Sequence, residues 1–271
     1  MLKAKRYAVR ISNNMNEKPD DQPGEKREVN LQKIAQEFML GMQRHFDMLA
    51  FNLSSKQMAD EERYKQIAKA PNIMPAAFAH QNFEQMQAYA RDLMVRQLVN
   101  DALNLVVTVL NNTHFFLSLV KSSNGNNTLT PESQKVAQTM HEAFVKMQLD
   151  QRFDALEKDF SILCDLEDTV TSLGFCLQAL MQQGGIVKEP QLDTSGKLVL
   201  DLKAVETGDA KEPAATIAGS HLTDYSKVFK EGETIIFSDA ELQLILLTIT
   251  AFGDNLFKST AKYVQSVKGV G

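Results

Sequence analysis

The sequence predicts a mainly α-helical bundle with a small β-hairpin-like insertion before the last helix. Three observations predict it. Apolar residues recur at intervals of three and four through long stretches, the spacing that gathers them on one side of an α-helix. Strong helix-starting signals stand at Thr130, Pro131, Glu132 and at Ser238, Asp239, Ala240, Glu241. Between 186 and 237 the pattern changes to short apolar pieces separated by Pro, Gly, Thr and Ser, as in a small β-excursion. The expected helix content is about 60%, against the usual third. The organisation follows: an N-terminal strand and flexible loop over 1–29, then one helical domain over 30–271 that carries the insertion at 186–237.

Residues 1–12 alternate weakly at Tyr7, Val9 and Ile11, as a short edge strand would, and Pro19, Pro23 and Gly24 mark 13–29 as loop. Asn30 can cap a helix to about Asn52, with Leu31, Ile34, Phe38, Met39, Met42, Phe46, Leu49 and Ala50 on its apolar side. Ser54 and Gln57 have capping-box spacing for a shorter helix ending near Ala70, and Pro71 and Pro75 punctuate after it. A long helix over about 76–120 starts polar and becomes almost wholly apolar, so it enters the core as it proceeds. The segment 122–128 reads as a turn.

Thr130 caps the next helix, Pro131 takes its first position and Glu132 adds an acid to its first turn. The helical pattern then runs to about Gln183. Leu149, Leu156, Leu163, Val170 and Leu177 repeat every seven residues, but Glu167 and Gly174 break the companion row. That makes one helix of an antiparallel bundle a better account than a free-standing coiled coil. Gly174 marks a bend or break, and Gly184 and Gly185 end the helical region. Within the insertion, 185–187, 197–202 and 234–237 are the apolar pieces around a loop at about 207–227. The final helix opens at the Ser238–Glu241 capping box and gathers Leu242, Ile245, Leu246, Ile249, Phe252, Leu256 and Phe257 on one side.

Composition narrows function mainly by exclusion. The chain has 271 residues, 44% hydrophobic and 23% charged, enough to bury a real core. A net charge of −5 argues against bulk electrostatic binding of nucleic acid. Two Cys and no apolar leader point to a reducing, cytoplasmic setting and exclude a disulfide scaffold. The stretch 102–120 lacks Asp, Glu, Lys and Arg, yet Asn104, Thr108, Asn111, Asn112, Thr113, His114 and Ser118 would be costly in lipid. A buried core helix, not a membrane span, is the reading.

Motifs that carry chemistry are few in this sequence. His141 and Glu142 begin a zinc-protease motif, but the second His is missing, and no His follows a Glu by three as a di-iron bundle requires. Neither a metal nor a cofactor is expected. Asp150, Asp154, Glu157, Asp165 and Asp168 alternate with Lys146, Arg152 and Lys158 as on a solvated helix face. Phosphate-binding loops and the nucleophile elbow are absent. A nuclease built from Arg91, Arg96 and His114 remains a second reading, although Arg96 and His114 would lie about 27 Å apart along one helix. A third is an apolar ligand enclosed between 98–120 and the final helix.

Over 165–261 a helix ends, Gly184, Gly185, Ile186 and Val187 follow, then a short insertion with Gly232, Glu233, Thr234, Ile235, Ile236 and Phe237, then a capped apolar helix. This order resembles the C-terminal half of HEPN domains, the helical domains of many prokaryotic toxin, defence and RNA-processing proteins. The resemblance covers about a third of the chain. In those domains the penultimate helix typically ends in Arg-Asn-x-x-x-His. Setting Gly185, Ile186 and Val187 in register puts Leu177 and Gln178 at the Arg and Asn, and Gln182 at the His. Leu and Gln can neither stabilise phosphate charge nor assist proton transfer. The resemblance therefore implies a catalytically inactive member that forms a homodimer. The expected function is a non-catalytic helical protein acting through dimerisation or protein-partner binding, with Arg91, Arg96, Gln178 and Gln182 as its candidate interaction face.

Overall fold

The computed structural model describes residues 8–10, 28–56, 58–68, 82–123, 130–205 and 222–269. In chain order these form strands β1 (Ala8–Arg10) and β2 (Glu28–Asn30), then helices α1 (Leu31–Lys56), α2 (Glu61–Ala68), α3 (Phe83–Ser122), α4 (Pro131–Val145), α5 (Leu149–Phe160) and α6 (Glu167–Gln182). A single 3-10 turn (Glu189–Gln191), strands β3 (Lys197–Val205) and β4 (Leu222–Lys230), and helix α7 (Asp239–Gly269) complete them. The protein is mainly α, with a two-stranded antiparallel sheet inserted before the last helix.

Helix α3 is the axis. Asn82 caps it by accepting from Gln85 N at 2.8 Å. Its first half is largely solvent-facing, and from Val95 onward it buries Val99, Ala102, Val106, Leu110, Phe116 and Leu117. By length and composition α3 could cross a membrane, and 61% of that apolar window is buried inside the fold. Helices α1, α4 and α7 pack around it. Two glycines set the closeness of this packing. A Cβ on Gly253 of α7 would overlap the Phe38 ring of α1, and one on Gly41 of α1 would come within 2.8 Å of Leu105.

The helix expected to run from Thr130 to about Gln183 is three helices. Thr130 does cap α4, accepting from Ser133 N at 3.2 Å. The chain stops at Val145 because Arg152 supplies donors to the carbonyls left over there. It stops again at Ser161, which adopts a left-handed conformation with φ 54°, while Ile162 N reaches back to Leu156 O. The seven-residue row survives only in part: Leu156 and Val170 are fully buried, but Leu163 sits in the second break and is 61% exposed. Gly174 breaks nothing and lies inside α6.

Three further expectations change. The helix α1 continues through Ser54 and Ser55, whose hydroxyls donate to Phe51 O, so Ser54 starts no helix. Asp60 caps α2 instead, accepting from Glu62 N and Arg63 N. Gln57, 76–81 and 124–129 lie outside the described residues, so those parts of the expected elements do too. The end of the expected N-terminal loop is a strand, since β2 pairs antiparallel with β1.

The expected loop at 207–227 conceals β4, which pairs with all of β3, from Lys197↔Lys230 to Val205↔Leu222. Residues 206–221 lie outside the described residues. Leu198, Leu200 and Leu202 of β3 point into the core against α6 and α7. The edge of β3 away from β4 is satisfied by helix side chains: Thr169 Oγ1 donates to Asp201 O, and Lys203 N donates to Thr248 Oγ1. The hairpin is thereby wedged onto the helices and β4 remains the outer strand. The Ser238–Glu241 capping box forms as expected and starts α7.

Candidate functional site

A shallow, mainly apolar depression where the hairpin meets α3 and the start of α7 is lined by the charged residues Arg91, Lys227, Asp239 and Glu241 beside Ile236 and Phe237. Arg91 donates to Phe237 O at 2.8 Å and pairs with Asp239 at 2.5 Å. Lys227 Nζ lies 2.7 Å from both carboxylate oxygens of Glu241 and donates to Ile236 O. It also stands over the rings of Phe229 and Phe237. Glu241 additionally accepts from Tyr225 Oη and Ser238 N. Burial alone would raise the Glu241 carboxyl, but the Lys227, Ser238 and Tyr225 hydrogen bonds outweigh it and hold it down at about 2. Each of these groups is already partnered, so the cluster fastens the hairpin to α3 and α7.

The other sequence candidates lie elsewhere. Arg96 pairs at 3.9 Å with Asp92, one turn earlier on α3, and its buried Nε has no partner among the described residues. Gln178 and Gln182 are exposed on α6, and Gln178 Oε1 faces Gln191 Nε2 at 3.4 Å. Arg91 and Arg96, five residues apart, point to different sides of α3.

His114 lies in a buried polar cluster at the far end of α3. Its ring stacks on Phe144 with centroids 3.9 Å apart, meets Phe160 edge-on and stands 5.8 Å from His141. Ser118 Oγ lies 3.4 Å from Nδ1. Burial, with His141 and Lys121 nearby, lowers His114 to about 4, so it is neutral near pH 7. Burial also lowers His141, assisted by Arg152. Arg152 itself is 8% exposed and donates to Met147 O, Val145 O and Asn111 Oδ1. Arg91 and His114 are separated by about 35 Å of helix, so the nuclease set is not brought together. Cys164 and Cys176 are buried free thiols, each pushed up to about 12 by burial. Among the described residues, no three His, Cys, Asp or Glu side chains gather as a metal site.

The feature missed by sequence reasoning is the outer side of α1. Its inner side buries Leu31, Ile34, Phe38, Met42 and Leu49 against α3 and α7. On the opposite side Leu40 is 67% exposed and Phe51 71% exposed, with Met48 also in solvent. Arg44 and Asp47 stand between them, exposed and without an ion pair among the described residues. Leu40, Arg44, Asp47 and Phe51 follow the alternating four-three-four spacing of a helix–helix seam. That spacing was available in the sequence, hidden behind the stronger inner pattern of the same helix.

Comparisons with known proteins add no relative: no family model, no curated protein and no solved structure matches the chain.

Proposed function

We propose that the protein is a non-catalytic helical protein that works by self-association or by binding a protein partner. The observation that carries this reading is the outer stripe of α1. Fully burying a side chain such as Leu or Phe is worth about 1.5–3 kcal/mol, and Leu40 and Phe51 forgo most of that on one strip of one helix. Single exposed apolar residues are ordinary, whereas apolar residues aligned on one strip with an opposite-charge pair between them fit a docking surface. Three cations of the kind that catalysis uses are engaged in holding elements together: Arg91 on Asp239, Arg152 on three acceptors, Lys227 on Glu241.

The HEPN-like order of the C-terminal half agrees with this reading. In that register Leu177, Gln178 and Gln182 occupy the nuclease positions, and the setting would be a prokaryotic defence or toxin system. The buried free thiols fit action in the cytoplasm. Native mass spectrometry of the purified chain tests the proposal. A multimer, or a complex with another protein, and no added small mass is the expected result. A monomer that carries a stoichiometric small molecule or cleaves RNA would overturn it.

A further inference from the structure

We propose that α1 is a homodimer seam in which two copies of the chain pair antiparallel along its outer stripe. Leu40 of each copy then lies against Phe51 of the other, and Arg44 against Asp47. This rests on the self-association reading above and names its surface and its partner.

The stripe is self-complementary. Leu40, Arg44, Asp47 and Phe51 are spaced four, three and four residues apart, and at about 100° per residue they fall within an arc of roughly 60°. The spacing reads the same in both directions. A two-fold axis between His45 and Phe46 therefore superposes the stripe of one helix on that of an antiparallel copy. Leu40 meets the partner's Phe51, and Arg44 meets the partner's Asp47, once on each side of the axis. Flanking positions agree with this register: Glu37 faces the partner's Ser54, Gln43 faces the partner's Met48, and no like charges are placed opposite each other.

Charge selects the orientation. In a parallel pair at the same register Arg44 would face the partner's Arg44 and Asp47 the partner's Asp47, and both contacts repel. Antiparallel pairing turns both into attractions. Neither residue has an ion pair within its own chain among the described residues; Asp47 accepts only from Gln43, at 2.9 Å. The two charges are thus free for a partner. The apolar pairs at the ends supply burial, and the central polar pairs fix register, as a lone polar pair does in a coiled coil. The contact is short, so the dimer is expected to be reversible, with a Kd of about micromolar.

Sedimentation of the full chain at up to about 100 µM tests the seam, with charge exchange as the decisive step. Both residues are exposed, so their substitution leaves the fold intact. Arg44→Asp alone creates two Asp–Asp contacts, and Asp47→Arg alone two Arg–Arg contacts. Each is expected to weaken dimerisation by roughly tenfold or more. Mixing the two variants, or combining them in one chain, restores opposite charges and is expected to restore the dimer. Oxidative cross-linking gives an independent readout. A mixture of Leu40→Cys and Phe51→Cys chains should cross-link, while either alone should not, because like positions sit about 16 Å apart along the seam. A wild-type chain that stays monomeric overturns the proposal. A dimer indifferent to the charge changes also overturns it, but leaves self-association through another surface standing.

Discussion

Replacing Arg152 with Lys asks whether the guanidinium, as opposed to its charge, ends α4 and joins it to α5. Arg152 donates from Nε to Met147 O at 3.0 Å, from Nη2 to Val145 O at 2.8 Å and from Nη1 to Asn111 Oδ1 at 2.8 Å. Those acceptors lie in three directions that a planar fork spans and a single ammonium cannot. If Lys keeps one contact, two acceptors lose their partner. A fully buried acceptor left unpaired costs about 1–3 kcal/mol; these are part-buried, with Val145 itself 42% exposed, so about 2–6 kcal/mol is an upper bound. Water reaching the site lowers this, and we expect about 3 kcal/mol. For a chain of this size each kcal/mol moves Tm by about 2–4 °C, so the fall is about 6–12 °C. Urea unfolding followed by far-UV circular dichroism measures it, with Arg152→Leu as the variant that also removes the charge. An Arg152→Lys protein within about 0.5 kcal/mol of wild type would refute the reasoning, since water would then be terminating α4 as well as the guanidinium does.

The pH dependence of stability should reflect the buried histidines. His114 is held at about 4, against 6.5 in the unfolded chain, so the unfolded state binds its proton more readily. Stability is full above about pH 6.5 and falls as pH drops towards 4. His114→Leu should flatten the urea midpoint over that window, with a residual slope of the same sign from His45 and His141; an unchanged slope would remove His114 from the account. Gly253→Ala forces the Phe38 ring aside and should cost about 1–3 kcal/mol. Gly174→Ala meets nothing within 4 Å in mid-helix and should add about 0.5–1 kcal/mol, and thermal melts that rank the two the other way would contradict this packing. Cys164 and Cys176 should resist an aromatic disulfide reagent at pH 8 until urea unfolds the chain, and rapid labelling of the native protein would show that these thiols are not buried as described.

What the sequence disclosed, it disclosed through local rules. Thr130 and Ser238 cap their helices because a side-chain oxygen reaches an amide three residues on, a contact written entirely in neighbouring residues. Gly184 and Gly185 end the helical region because both take positive φ, another local demand. The breaks at Val145 and Ser161 were not legible for the opposite reason. Helical periodicity continues across them, and what stabilises the first is Arg152, held by Asn111, 41 positions before that arginine. The strand β4 was hidden because an outer strand buries little: only Phe229 is withdrawn from water there, while its partner β3 alternates cleanly through Leu198, Leu200 and Leu202.

The same distinction separates the two kinds of candidate site. Arg91 looked available in the sequence because its partners, Phe237 O and Asp239, lie nearly 150 positions away, and only folding brings them within reach. A charge's role depends on its neighbours in space, so residue type alone overstates how many charges are free. The outer side of α1 differs in the reverse sense: the apolar pattern of the sequence assigns Leu40 and Phe51 to neither side and puts Met39 on the apolar one, and only the direction in which Leu31, Phe38 and Met42 point shows that Leu40, Phe51 and Met39 are in solvent. Once the inner side of α1 is fixed by Gly41 and Gly253, whose lack of side chains lets α3 and α7 approach, the outer stripe is left exposed among the described residues. The packing that makes α1 a core helix on one side is therefore what presents Leu40, Arg44, Asp47 and Phe51 on the other.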